Sequence, residues 1–251
     1  TCWGGNQTMK ILVFAKRNFK EIVRDPMNLF FGIGFPVLLL IALNTMGKNI
    51  PGEQFTLKQL TPGITVFGLS FMSLFSGVLL AKDRSSSFLM RLFTSPLKSH
   101  DFIWGYLLPL FPMAFIQGVI CFIAAVLMGL DFNLNLVLSF ITLIPTSFLF
   151  IGIGLVCGVI FNDKQVGGIC GALLTNLTVW LSGAWFPVEI VGKTFKNVAM
   201  MLPFIHSVEI SRDALNGSYQ NFFIHLIWIL GYTVVFLSLA IFLFNRKMNK
   251  D

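Results

Sequence analysis

The chain has 251 residues, of which 55% are hydrophobic and only 12% are charged, and its mean hydropathy is +0.80. A soluble protein carries about 25% charged residues, so this composition excludes an ordinary cytosolic enzyme, a disordered chain and a secreted disulfide scaffold. It predicts an all-α polytopic membrane protein. In such a protein the net charge of +7 reflects loop residues that set orientation, so we expect no nucleic-acid partner.

The first segments are a short polar start and a predicted surface helix. Residues 1–8 differ in character from the rest of the chain, and we expect them to be a start remnant or disordered. Over residues 9–25, apolar side chains recur at helical spacing and basic side chains occupy the other side. This predicts an amphipathic helix in the cytoplasmic membrane interface, ended by Asp25-Pro26. It is either an anchor or an anchor that also forms a docking surface, with the candidate residues Lys16, Arg17, Lys20 and Arg24.

Six uncharged stretches are long enough to cross a bilayer, which takes about 20 residues of helix. They cover residues 28–46, 61–81, 102–130, 136–161, 166–187 and 222–244. All 18 basic and 11 acidic residues lie outside them, as expected because a charge at the bilayer centre costs about 2.5–3.5 kcal/mol. Residues 26–245 therefore form a single predicted six-span domain.

The orientation follows from the distribution of basic residues. Six spans place both termini on one side, together with the connections at 82–101 and 162–165. That side carries 13 of the 18 basic residues, so the positive-inside rule predicts that both termini are cytoplasmic, including the tail at 246–251. The predicted location is the cell membrane, and in bacteria the inner membrane.

The connection at 82–101 is longer than a turn requires. Ser85 and the residues after it can cap a short helix, predicted from Ser86 to Thr94, and Pro96 ends it. Phe88, Leu89 and Leu92 share one face of that helix. Either this face packs on the ends of its own spans, or it inserts into a groove of a cytoplasmic partner.

The second long connection, 188–221, comes after a break at residues 183–187. Two weak helical patterns, around 191–201 and 206–215, are separated by Leu202-Pro203, and Gly217 stands where a helix would end. These helices are too short to span, so we expect extracytoplasmic helices that can dip into the membrane where protein buries them. They form either a structural lid or a gate, with the candidate gate residues Trp185, Phe186, Pro187, Glu189 and Pro203.

The spans contain few polar side chains. Such groups usually bond between helices. The alternative is a weakly polar, aromatic-lined pathway for an amphipathic or apolar substrate, with the candidate residues Phe67, Phe71, Phe75, Thr175, Asn176, Thr178 and Ser182. The absence of a mid-span ionisable residue disfavours a proton- or sodium-coupled carrier. The pairs Gly154/Gly158 and Gly167/Gly171 are weak indications of a helix–helix seam between two copies.

Neither metal nor nucleotide chemistry is indicated. The three histidines, His100, His206 and His225, lie far apart in the sequence without a metal-binding spacing, and the four cysteines form no C-x-x-C pair. There is no P-loop and no G-x-S-x-G motif. We therefore expect no catalytic or metal-binding residue and no cofactor bound by this chain.

Four segments resemble, in order, the membrane subunit of a type-2 ABC exporter, closest to the daunorubicin-resistance-like drug-export permeases. They are the basic start at 16–26, the block at 83–97 that begins Asp83-Arg84-Ser85, the stretch at 182–189, and the stretch at 202–215. The family often has Glu-Arg-Gly-Thr where this chain has Asp-Arg-Ser-Ser. The start typical of the polysaccharide-exporting branch is absent, which argues against a glycan substrate.

The resemblance implies a mechanism. Two six-span permeases, identical or homologous, pair in the bilayer, and each docks on a cytoplasmic ATPase that binds the ATP and Mg²⁺. It assigns ATPase coupling to Asp83, Arg84, Phe88, Leu89, Arg91, Leu92, Phe93 and Pro96, and the pathway to spans two and five. The implied cargo is a drug, antibiotic or lipid-like molecule. The alternatives are a glycan exporter, a carrier without an ATPase, and an assembly or sensing subunit.

Overall fold

The computed structural model describes residues 7–48, 55–86 and 99–248. These residues form helices joined by short connections, and no strand occurs among them. The helices are α1 (Gln7–Arg24), α2 (Pro26–Gly47), α3 (Leu57–Ser85), α4 (Ser99–Leu127), α5 (Leu134–Ile160), α6 (from Asp163 to Ser182), α7 (Lys193–Met200), α8 (Pro203–Asn216) and α9 (Phe222–Met248).

Five helices in the described residues, α2, α3, α4, α5 and α9, are long and apolar enough to cross a membrane. The prediction of a multi-span helical membrane protein is therefore confirmed. The fifth predicted span, 166–187, corresponds to α6, which already ends at Ser182 because Gly183 adopts the left-handed conformation (φ 66°). α6 is shorter than the other five and carries Gln165, Thr175 and Asn176, which lower its hydropathy.

The centre of the bundle is α3. In its most apolar stretch 89% of the residues are buried, against 17% in α2 and in α9. α3 can be surrounded because one side of it is small: Ser73, Ser76 and Gly77 face Gly154 and Gly158 of α5. The Ser76 hydroxyl donates a hydrogen bond to the Ile151 carbonyl oxygen at 3.2 Å. The Gly154/Gly158 pair therefore packs α5 on α3 within one chain, where the sequence had suggested a seam between copies.

We expect Gly154→Ala to destabilise the chain by about 1–3 kcal/mol, the usual cost of overpacking a close-packed core. A Cβ at Gly154 would collide with the backbone of Ser73 and with the Ser76 hydroxyl, neither of which can move freely. Gly167→Ala is the control, because nothing lies within 4 Å of a Cβ there. The measurement is the apparent melting temperature of each variant in detergent. Equal melting temperatures would contradict the packing.

α1 is divided between two environments. Phe14, Asn18 and Ile22 are buried. Asn18 Nδ2 donates to the carbonyl oxygen of Gly105 in α4 at 3.1 Å, and a side chain at Gly105 would meet the Phe14 ring. On the other face, Leu12 and Val13 are exposed. The amphipathic helix therefore packs one flank on the bundle and leaves a second apolar flank uncovered, which the sequence periodicity did not resolve.

The connections give the bundle two distinct ends. At the Arg17 end lie α1, the last turn of α3, the first turns of α4, the C-terminus of α5 and the last turns of α9. At the opposite end, which we call the Arg212 end, lie α7, α8, the end of α6 and the first turns of α9. α8 begins with Pro203 at its first turn and ends at Gly217, which is left-handed (φ 68°), the usual arrangement of a start proline and a stop glycine.

Two of the helices contain π-helical stretches. In α2 the stretch is Phe30–Gly34, and in α6 it is Gly167–Leu174. π-helical turns are rare and occur often at functional sites. In α6 the stretch directly precedes Thr175 and Asn176, so it sets the direction in which those predicted pathway residues point.

Candidate functional site

The Arg17 end contains a buried polar network centred on Asp83. The Asp83 side chain is 4% exposed. Its Oδ2 accepts a hydrogen bond from Arg17 Nη1 at 2.6 Å and another from the Tyr106 hydroxyl at 2.9 Å. Arg17 also pairs with Glu21 at 2.8 Å on its exposed side. The Asp83 carboxylate thus joins α1, α3 and α4. It stands at the end of α3, just before the segment at 87–98.

The neighbouring residue, Arg84, points the other way, into the C-terminus of α5. Its guanidinium donates to the carbonyl oxygens of Gly158, Val159 and Phe161. Lys247 of α9 reaches the Val159 carbonyl as well, at 2.7 Å. Basic groups at a helix C-terminus satisfy its last carbonyls and complement its dipole. Asp83 and Arg84 together connect α3 to α1, α4 and α5, and Lys247 connects α9 to the same end of α5.

The other predicted coupling residues, Phe88, Leu89, Arg91, Leu92, Phe93 and Pro96, lie outside the described residues. The predicted docking residues are described. Lys16, Arg17, Lys20 and Arg24 line an open groove of about 1040 Å³ on the surface of α1, together with Val13, Glu21, Asp25 and Pro26. The groove carries more positive than negative side chains and can receive an acidic surface.

The predicted aromatic pathway residues pack inside the chain. Phe67, Phe71 and Phe75 are all less than 10% exposed. The Phe67 ring lies 5.3 Å from that of Phe71 and 5.9 Å from that of Trp185, and Phe31 of α2 lies 5.8 Å from Phe71. The stripe therefore joins α2 and α3 to the segment after α6, and in a single chain it is not open to a substrate.

The four predicted pathway residues of α6 divide between the inside and the outside of the bundle. Thr175, Thr178 and Ser182 are buried, and the two threonines donate to carbonyls of their own helix. Asn176 is exposed. It lies in a groove of about 630 Å³ whose other lining residues are Gly168, Ala172, Leu173, Leu177, Trp180, Leu181 and Phe195. We call the side of α6 that lines this groove its outward face, and Asn176 is the predicted pathway residue that lies on it.

The predicted gate residues lie between α6 and α8. Trp185 packs on Phe67, and Phe186 packs on Trp180 with ring centroids 5.3 Å apart. Pro187 is exposed and Pro203 is buried. Of Glu189, only the backbone is described. α3 approaches this segment closely at Gly63, where a Cβ would lie 2.6 Å from the Ala184 carbonyl oxygen.

Arg212 connects these elements, and sequence reasoning assigned it no role beyond its place in the fourth resembling stretch. Its guanidinium donates to the carbonyl oxygens of Gly183 at 2.8 Å and Gln59 at 3.1 Å, and it pairs with Glu209 at 2.8 Å. It thereby satisfies backbone groups at the end of α6 and the start of α3.

Sequence reasoning also missed the contact between His206 of α8 and His225 of α9. The two Nδ1 atoms are 2.7 Å apart, and Nε2 of His225 is 3.8 Å from Asp213 Oδ2. Nineteen residues separate the two histidines, so no short motif could reveal the pair. In the described residues, no group of three or more His, Cys, Asp or Glu side chains could hold a metal ion.

The fold and the site define a class: a multi-span helical membrane protein whose buried polar groups join helices at both ends of the bundle. The family model of ABC-2 type transporters matches residues 9–216. The chain belongs to the ABC-2 type transporter family. Members of this family are membrane-spanning permease subunits, not catalytic domains, and they work with an ATPase subunit.

Three relatives illustrate the range of the family. Proteins named transport permease ycf38 are 32% identical over 146 residues in Porphyra purpurea (55% of this chain, 50% of the relative) and 35% identical over 119 residues in Cyanophora paradoxa (45% and 39%). The capsule polysaccharide export inner-membrane protein CtrC of Neisseria meningitidis serogroup B is 33% identical over 107 residues (41% and 37%). The matches span half or less of the length of these relatives.

Proposed function

We propose that this chain is the permease subunit of an ATP-driven exporter, powered by a separate cytoplasmic ATPase. Family membership supports the transporter class. The observation that carries the coupling role is the position of Asp83 and Arg84. Side by side at the end of α3, they bond to the elements on both sides of it, so a force applied to the segment at 87–98 would reach α1, α4 and α5 together.

We further propose six spans, with α6 as the fifth and both termini cytoplasmic. The placement of basic residues supports this orientation, because Lys16, Lys20, Arg84 and Lys247 lie at the Arg17 end. The groove on α1 and the segment at 87–98 would then face the cytoplasm together. This is the side on which a soluble ATPase would dock.

The proposed working unit is a pair of permeases, with two copies of this chain or this chain and a homologue. The outward face of α6 supports a lateral partner, because it exposes Leu173, Leu177 and Trp180 around the amide of Asn176. The Asn176 amide donates one hydrogen bond to the Ala172 carbonyl oxygen at 2.7 Å, and its remaining polar groups would lack partners if it faced lipid. A second α6 or a substrate can supply those bonds.

For the cargo we propose an amphipathic or apolar molecule, such as a drug, antibiotic or lipid-like compound, because the groove around Asn176 is otherwise lined by apolar side chains. A lipid-linked or free polysaccharide is the second candidate, and the relative named for capsule polysaccharide export favours it. The two are distinguished by which class of molecule stimulates ATP hydrolysis by the reconstituted complex.

The test of the motor is co-purification. The chain is co-expressed with ABC ATPases of the same genome and purified through its own tag, and vanadate-sensitive ATP hydrolysis is measured. We expect an ATPase to co-elute, and we expect Phe88→Asp and Leu92→Asp to release or uncouple it. Phe132→Asp is the matched control, since Phe132 lies exposed in the turn at the Arg212 end.

Two results would contradict the proposal. The first is that no co-expressed ATPase co-elutes with a well-folded wild-type chain. The chain would then be interpreted as a carrier or a non-transport subunit and not as an ATP-driven permease. If Phe132→Asp releases the ATPase as strongly as Phe88→Asp, docking does not occur at the segment that contains Phe88.

A further inference from the structure

We propose that His206, His225 and Asp213 form a site that holds one proton and thereby fastens α8 to α9. The contact joins the short helices of the Arg212 end to the last span of the chain. It has no part in the transport mechanism above, and the inference does not depend on the cargo or on the direction of transport.

The hydrogen positions follow from the acceptors around the two rings. His206 Nε2 is 3.0 Å from the Met200 carbonyl oxygen, which can only accept, so Nε2 carries the hydrogen. In a neutral ring, His206 Nδ1 is then a lone pair. It lies 2.7 Å from His225 Nδ1, so His225 must donate from that nitrogen. The two rings are therefore fixed in opposite tautomers.

The third group, Asp213, lies next to the second ring at a distance beyond a hydrogen bond. With its hydrogen on Nδ1, neutral His225 presents a lone pair at Nε2, which faces Asp213 Oδ2 at 3.8 Å. An ionised carboxylate there would oppose one acceptor to another. That Oδ2 atom is buried and has no other hydrogen-bond partner in the described part of the chain. One added proton between Oδ2 and Nε2 turns the repulsion into an attraction.

A second proton would break the same contact. On His206 it could bind only at Nδ1, where it would face the hydrogen of His225 at the same short separation. The arrangement therefore accepts one proton and rejects the next. Trp228 of α9 also holds the ring of His206, because the two rings stack with centroids 5.1 Å apart and planes 10° apart. Protonation therefore affects the whole contact between α8 and α9, which we call the joint.

The surroundings favour the single-proton state. Burial, with a smaller contribution from the Glu209 charge, raises the pKa of Asp213 to about 6, and burial lowers the pKa of His206. Glu209 is itself paired with Arg212. The elements packed on α8 also carry Lys58 on α3 and, on α7, Lys193 and Lys196. α5 and α6 contribute no charged residue at this end among the described residues.

The sign of the pH dependence follows from these directions. For Asp213, whose pKa is raised, the stabilising contribution is fully present below its ordinary value of 3.8 and is lost as the pH rises through about 6. For His206, whose pKa is lowered, the contribution is present above 6.5 and is lost as the pH falls. The two contributions therefore oppose each other in mildly acidic solution: that of Asp213 grows as the pH falls from about 6, while that of His206 declines as the pH falls below 6.5.

The direct test is nitrogen NMR of the full chain, labelled with ¹⁵N-histidine and embedded in lipid bilayers. The chain has three histidines, so each ring can be assigned, and exposed His100 is an internal reference identified by His100→Gln. We expect His206 as the Nε2–H tautomer, His225 as the Nδ1–H tautomer, and a shift of the His225 Nε2 signal between pH 8 and pH 5. A mixture of tautomers at both rings, like that of an exposed histidine, would overturn the proposal.

Asp213→Asn distinguishes an effect of protonation from an effect of packing. Its amide N–H can donate to His225 Nε2 at every pH, so the donor no longer depends on a bound proton. We expect this variant to keep both tautomers and lose the pH-dependent shift. Its melting temperature should exceed that of wild type at pH 8, with the difference disappearing by pH 4.5. Asp131→Asn, at an exposed acid of the same end, should change neither. An unaltered pH profile in Asp213→Asn would overturn the proposal even if the other variants fold poorly.

Discussion

Asp83→Ala is expected to lower the free energy of unfolding by about 2–4 kcal/mol. The substitution leaves the Tyr106 hydroxyl buried without its acceptor and removes the buried charge to which Arg17 bonds. Hydrogen bonds to charged groups contribute about 1.5–3 kcal/mol each, and breaking a buried ion pair by removing one partner costs about 3–5 kcal/mol. The Arg17 side chain is 38% exposed and can turn toward water, which places the total below their sum.

The chain supplies a matched control for this prediction. Glu21 is the second carboxylate bonded to Arg17, but it is 41% exposed and stands one helical turn away. Exposed pairs of this kind contribute about 0.3–0.5 kcal/mol, so Glu21→Ala should change the melting temperature little. If the two alanine variants unfold at the same temperature in detergent, the Asp83 network does not hold α1, α3 and α4 together.

The same variant also tests coupling. Tyr106→Phe removes one neutral donor and keeps the carboxylate with Arg17, so it should destabilise by only about 1 kcal/mol. In the complex with its ATPase, we expect Asp83→Ala to reduce substrate-stimulated hydrolysis further than Tyr106→Phe does. Equal hydrolysis in both variants, measured below their melting temperatures, would mean that the network supports the fold and has no part in coupling.

Arg212→Met is expected to destabilise the chain by about 2–6 kcal/mol. The carbonyls of Gly183 and Gln59 would lose their charged donor in a buried site, and each unsatisfied buried group costs about 1–3 kcal/mol. Methionine keeps the length of the side chain, so the loss reports the guanidinium. Hydrogen exchange should rise at Gly183 and Ala184, because the end of α6 is no longer held.

Two further variants serve as comparisons for Arg212→Met. Arg212→Lys should be intermediate, because a single ammonium cannot reproduce the planar fork that bonds two carbonyls at once. Arg246→Met removes an exposed arginine at the Arg17 end and should leave the melting temperature unchanged. If Arg212→Met and Arg246→Met melt alike and show the same exchange at Gly183, the proposed role of Arg212 is wrong.

Composition and the placement of charges predicted the features that the surrounding bilayer imposes on the chain. The bilayer requires long uncharged helices, so the class and the approximate positions of α2, α3, α4, α5 and α9 could be read from the sequence. α6 was placed but extended about five residues too far, because the apolar run continues past Gly183 while the backbone turns there. Hydropathy reports which residues avoid water, but it does not report where a helix ends inside protein.

Pairings between distant segments could not be predicted. Arg17 with Asp83, Arg84 with the end of α5, and His206 with His225 all depend on which helices are neighbours. Thr175 and Asn176 illustrate the same limit within one helix. Both are polar, adjacent and bonded to carbonyls of their own helix, yet Thr175 is buried and Asn176 faces the outside groove, because their directions depend on the exact winding of α6.

That winding makes the geometry of one stretch matter more than the composition of α6. A turn with i→i+5 bonds holds about one residue more than an α-helical turn, so the stretch Gly167–Leu174 behaves like a local insertion tolerated without breaking the helix. If this stretch relaxed to ordinary α-helical geometry without losing a residue, the extra residue would rotate everything downstream by about 100°. Asn176 and Trp180 would then exchange places with side chains now inside the bundle. A relative of the same length without π-helical turns here would therefore present a different surface while sharing nearly all of its sequence.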